Sequence, residues 1–167
     1  MQTSAAVCRY LLTLADPIVA DLNDAHAAME PRPGTKTAGW LLGHLAVSGD
    51  YARRLCGQPP LCPADWSPRF APGSQPSLEA DAYPPMDEMR GTFVAVYTDL
   101  ATIATTVAPD RLAVLNPYAP ALADFPTAGE FVAYLMTAHV AYHLGQLAGW
   151  RSAAGLGRVP RENPLAA

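Results

Sequence analysis

The sequence predicts an all-α protein, a four-helix bundle with a long proline-rich crossover between its second and third helices. Three observations predict it. Four segments of about 20 to 28 residues place apolar side chains at the 3- and 4-residue spacing of one helix face. No βαβ signal, internal repeat or low-complexity stretch interrupts them. Eight prolines fall between residues 57 and 85, where they separate the second segment from the third. Helices with one apolar face must bury it against each other, and four such helices make an up-and-down bundle the economical answer. At 167 residues the chain, 1–167, is expected to form a single domain with a sizeable core.

The first helix is expected over residues 4–29, with Val7, Leu11, Leu14, Ile18, Leu22 and Ala25 on its buried face. Pro17 kinks it without shifting that face, because the stripe continues across the proline in phase. His26 flanks the stripe as an exposed residue and stays outside any site. Glu30 to Gly34 is a loop signal. The second helix runs from about Thr37 to Cys56, with Thr37, Leu41, His44, Ser48, Tyr51 and Leu55 on its seam. His44 stands there in place of a leucine.

Residues 57–85 carry too many prolines for a regular helix. Trp66 and Phe70 give this loop apolar area, so an ordered crossover is expected. The third helix covers 86–107, and Met86, Met89, Phe93, Val96, Leu100, Ile103 and Val107 form a stripe without a titratable group. Residues 109–126 connect to the fourth helix, with room for one turn at 110–114. Thr127 and Glu130 form a capping box. The fourth helix then runs to about Ala154, with Gly155 as its C-cap and an irregular tail containing Pro160 and Pro164.

Charge and composition exclude several functions. Half the residues are hydrophobic, and the net charge is −4. Only Lys36 among 11 basic residues is a lysine, so no basic stripe awaits a nucleic acid. Arg53, Arg54 and Arg151 fall near helix C-termini, where they complement the dipole. No apolar run is long enough to span a membrane, and no signal segment is visible. Three cysteines, Cys8, Cys56 and Cys62, form no CxxC pair. A cytoplasmic protein with reduced thiols is expected.

The chemistry concentrates in three histidines. His139 and His143 lie four residues apart on the core-facing stripe of the fourth helix, and residues at that spacing are neighbours. His44 faces the core from the second helix. Burying three imidazoles costs desolvation three times, which a shared cation would offset. A metalloprotease is excluded, because Val140 stands where the zincin motif needs glutamate. Three neutral ligands without a carboxylate leave coordination positions open, as in catalytic sites. Imidazole suits Zn, Ni, Cu and Fe alike. Gly43 and Gly145 are expected to let the two helices approach closely. Gln146, one turn beyond His143, is placed to hold a water or a ligand, and Tyr142 to donate a hydrogen bond or to pack.

Trp40-Leu41-Leu42-Gly43-His44-Leu45, with His139-xxx-His143-x-Gly145-Gln146 and the loop Phe70-Ala71-Pro72-Gly73-Ser74, resembles the DinB/YfiT-like family over almost the whole chain. The resemblance implies an up-down-down-up bundle, often a homodimer. It implies a divalent metal, commonly Ni or Zn, on His44, His139 and His143. Some relatives are thiol-dependent S-transferases or isomerases that use bacillithiol or mycothiol, and many have no known activity. The expected partner is therefore a small-molecule substrate, with a low-molecular-weight thiol as one candidate. Two other readings stand beside this enzyme: a non-catalytic metal or ligand-binding bundle in stress response, and a bundle whose histidines only bond within the core.

Overall fold

The computed structural model describes residues 1–157. These residues are helical, with no β-strand among them. Helix α1 spans Gln2–Val19. It buries Ala5, Cys8, Leu11, Ala15 and Ile18, and leaves Val7 40% exposed. The apolar face is thus turned from the expected one at its start, where Ala5 and Cys8 are the buried residues and Cys8 Sγ meets Tyr97 O. The helix also ends ten residues early. Pro17 lies in its last turns, and Asn23 caps a separate helix α2, Asp24–Ala27, by accepting from Ala25 N at 3.1 Å. His26 closes this capping box through its Nδ1, which accepts from Asn23 N at 3.1 Å.

Helix α3, Ala38–Leu55, is almost wholly buried, and Thr37, expected on its seam, caps it by accepting from Trp40 N at 3.2 Å. The crossover holds helix α4, Trp66–Phe70, and a single 3-10 turn at Ala80–Ala82. Five residues of helix survive the prolines because Pro68 sits in the first turn, where its missing amide hydrogen is not needed. Trp66 and Phe70 are buried and meet edge to face, so the loop is anchored by its aromatics.

Helix α5, Met86–Ile103, buries Met86, Met89, Phe93, Val96 and Leu100. Tyr97, off the expected stripe, is buried too, and its hydroxyl has no partner. Helix α6, Pro109–Leu112, supplies the expected turn. The fourth segment is broken in two: α7, Ala128–Met136, and α8, Ala138–Ala153. Thr137 has φ −128° and ψ −86°, outside the helical region, and its hydroxyl donates to Ala133 O at 2.5 Å. The Thr127–Glu130 capping box forms, and Gly155 takes the expected positive φ. The tail with Pro160 and Pro164 lies outside the described residues.

One hydrophobic core joins the long helices. From the middle of α1, Arg9 donates to Ala101 O late in α5 at 3.3 Å, and Arg90 early in α5 donates to Ala20 O just beyond α1. Thr37, before α3, meets Tyr83, before α5, and Arg53 donates to Asp99 at 2.6 Å. Tyr51 near the end of α3 faces Phe131 near the start of α7, and His44 meets His139. Arg151 late in α8 pairs with Asp21 beyond the end of α1 and donates to Ile18 O. Arg53 and Arg151 do lie in last turns, but both are buried in ion pairs, which is a stronger anchor than the dipole alone.

Candidate metal centre

His44 projects from the middle of α3, where Trp40 one turn earlier stacks on its ring at 4.7 Å and 7°. His139 and His143 project from successive turns of α8. The three rings lie 4.5 to 5.1 Å apart between centroids, and one nitrogen of each lies within 4.8 Å of the others. Exposure is only 4% for His44 and 8% for each of the others. The sequence placed these three together, and the fold brings them together.

Hydrogen bonds around the cluster decide which nitrogen faces it. His44 Nδ1 lies 2.8 Å from Phe70 O, and a carbonyl can only accept, so His44 carries its proton on Nδ1. His143 Nδ1 lies 2.7 Å from Gln146 Oε1 and donates in the same way. Gln146 Nε2 in turn donates to Tyr142 Oη at 3.2 Å. Both neutral imidazoles therefore turn a bare Nε2 lone pair inward. His139 Nε2 stands 3.2 Å from His44 Nε2, while its Nδ1 is buried without a partner. Two nitrogens bound to one ion at about 2.1 Å sit roughly 3.0–3.4 Å apart, so this spacing fits co-ligands.

Electrostatics keep the rings neutral, the form a metal needs. Burial pushes His44 down to about 4, and the charges of His143 and Lys36 act in the same direction against the Phe70 carbonyl. Burial pushes His139 down to about 3, with His143 and His44 adding to it. Burial lowers His143 as well, against its bond to Gln146. No carboxylate belongs to the cluster among the described residues. The donor set fits a divalent cation: three lone pairs, two fixed tautomers and no formal charge.

A model of the DinB superfamily matches residues 11–147. The chain belongs to the DinB superfamily. No curated protein and no solved structure matches it. This DinB chain also corrects two expectations about the glycines. A Cβ on Gly43 would lie 2.5 Å from the Phe70 ring, so the close approach there is to the crossover and not to α8. Gly145 has open space around it. Gln146 accepts from His143 Nδ1 and so holds the ring itself, where a hold on a water or a ligand was expected. Tyr142 is exposed, accepts from Gln146 rather than donating, and sets its ring edge-on against His143 at 5.0 Å.

Sequence reasoning missed Phe70, whose contribution is a backbone carbonyl and so leaves no side-chain signal. It also missed the break at Thr137, directly before the histidine pair. A threonine preceding an apolar run is a helix-start signal, and that signal was present.

Proposed function

We propose that the protein is a divalent-metal-dependent enzyme acting with a low-molecular-weight thiol in an S-transfer or isomerisation reaction. His44, His139 and His143 hold the ion, with Ni or Zn as the metal. The observation that carries this reading is the convergence of ring nitrogens whose outer partners, Phe70 O and Gln146, leave Nε2 bare. An ion bound there would lower the pKa of a coordinated thiol and stabilise the thiolate. The chain's own part is to orient the rings, keep them neutral and screen them from bulk water. None of its cysteines enters this scheme: burial pushes Cys8, Cys56 and Cys62 up to about 11 or 12, far from thiolate formation at neutral pH.

The wider reading is one DinB-like domain, an up-down-down-up four-helix bundle in which α7 and α8 together form the fourth helix. The end-to-end contacts of α1 with α5, and the start-to-start contacts of α3 with α5, support it. Unpaired cysteines, with no helix long and apolar enough to cross a membrane among the described residues, support a cytoplasmic location. Val7 and Tyr10 on α1 and Val94 on α5 are exposed apolar groups that a homodimer would cover.

Elemental analysis of protein purified without an affinity tag, followed by assay of a panel of thiols and electrophiles, tests the activity. Stoichiometric metal with thiol-dependent turnover is the expected result. Metal without turnover would leave the non-catalytic binding bundle, and no metal would leave histidines that bond only in the core.

A further inference from the structure

A cavity lies beside the histidine cluster, behind Trp40 and Phe70. It has a volume of about 290 Å³ and is lined by Trp40, Pro68, Arg69, Phe70, Ser74, Gln75, Ser77, Ala82 and Tyr83. Two of these residues also build the centre: Trp40 stacks on His44, and Phe70 O holds His44 Nδ1. The cavity is made of the crossover that folds over α3.

Its polar groups are spent in one direction. Ser74 Oγ accepts from Trp40 Nε1 at 2.9 Å, and Ser77 Oγ accepts from Glu79 N at 3.1 Å. Gln75 Oε1 accepts from Lys36 Nζ at 3.4 Å. Each has used acceptor capacity and keeps its own hydrogens to give. Two hydroxyl protons and an amide NH2 are left to donate, against one remaining lone pair on each oxygen.

Charge points the same way. Arg69 is paired with Asp65 at 3.0 Å. Lys36, the chain's only lysine, has no carboxylate at ion-pair distance among the described residues. Its ammonium sits 4.2 Å from the centre of the Trp40 ring. One unneutralised cation beside a set of neutral donors suits a single negative charge borne by acceptor atoms only.

We propose that this cavity is a carboxylate-binding subsite, which holds the acid group of the small-molecule substrate beside the histidine centre. Lys36 supplies the charge; Ser74, Gln75 and Ser77 supply hydrogen bonds. This deepens the thiol reading above and rests on it for the word substrate, but the subsite can be tested apart from it.

The protein as purified is titrated with 3-mercaptopropionate, with its neutral methyl ester, and with propionate, which has no thiol. Calorimetry gives affinities, and amide and indole NMR shifts give location. The acid should bind about tenfold more tightly than the ester, the scale of one charge-assisted contact. Lys36→Gln should erase that preference and leave metal content unchanged, whereas Lys36→Arg should retain most of it. Propionate should shift the Trp40 indole and the Ser74 to Ser77 amides. Equal affinity for acid and ester, or a Lys36→Gln variant that keeps the preference, would overturn the subsite even if both thiols bind the metal. Propionate shifts that appear at the crossover and vanish in Lys36→Gln, with no thiol binding at all, would support the subsite and defeat the thiol reading instead.

Discussion

Helix α3 has two long neighbours and meets them by different means. Against α5 the contact is one of shape. Gly49 brings the backbone so near that a Cβ would stand 2.7 Å from Tyr97 and Val96, and Phe93 and Leu100 are fully buried. Arg53 is shared between Asp50 and Asp99 on that side, while the buried Tyr97 hydroxyl has no partner. Against α8 the contact is made by His44, His139 and His143, and His139 Nδ1 is left without a partner. The first interface is one of close packing. The second brings three ring nitrogens within 4.8 Å of one another. A single helix therefore carries close packing on one side and the candidate metal centre on the other.

That contrast can be broken by mutation. The largest expected effect is on the α5 side. Phe93→Ala should cost about 3–5 kcal/mol of unfolding free energy. Denaturant melts would show this, while the folded fraction keeps its metal. Equal losses of metal and stability would mean that the two sides are not separate. On the α8 side, His44→Ala should remove tight metal binding, because an i, i+4 pair alone is a weak bidentate site. Its melting temperature should then stop responding to chelator; full metal content in this variant would refute the three-histidine centre. Gln146→Leu removes only the group that fixes the His143 tautomer, and should weaken metal affinity by roughly 10–100-fold, read by competition with a chromophoric chelator.

Acid should distinguish the sides as well. The three imidazoles have folded pKa values below the unfolded value of about 6.5, with His44 near 4 and His139 near 3. The unfolded chain therefore takes up protons first. The stability due to neutral histidines is fully present above about pH 6.5 and is lost as pH falls towards 4 and 3. Metal-free protein melted across that range should show the decline, and a His44→Ala variant should show less of it. A melting curve flat from pH 7 to 4 would contradict the buried neutral cluster.

The smallest effects separate the two glycines. Gly43→Ala forces the Phe70 ring aside and should cost about 1–3 kcal/mol. Gly145→Ala meets open space on a helix and should stabilise by up to about 1 kcal/mol. A loss at Gly145 would mean that its freedom matters to α8.

How much of this was legible depended on what kind of atom carried it. Helix α3 and the apolar face of α5 were readable because side-chain periodicity reports a buried face directly. The three histidines were readable because they replace apolar residues on such faces. Val7 was misplaced because alanine and cysteine also fill a tight interface, and spacing alone favours the larger residue. The end of α1 and the break at Thr137 were misread although Pro17 and Thr137 mark them, because the apolar stripe runs on in phase past both and argues for an unbroken helix. The Phe70 carbonyl could not be seen at all: only the fold decides which backbone acceptor arrives beside His44.

The interruption at Thr137 has a consequence for how such a chain can vary. In an unbroken helix each added or deleted residue turns everything beyond it by about 100°. A change within α7 would then swing His139 and His143 away from His44. With a non-helical residue between them, the angular phase of α8 is set anew at Ala138. The α7 half is then free to drift in length and sequence under the demands of its aromatic packing, while the histidine pair keeps its bearing on α3.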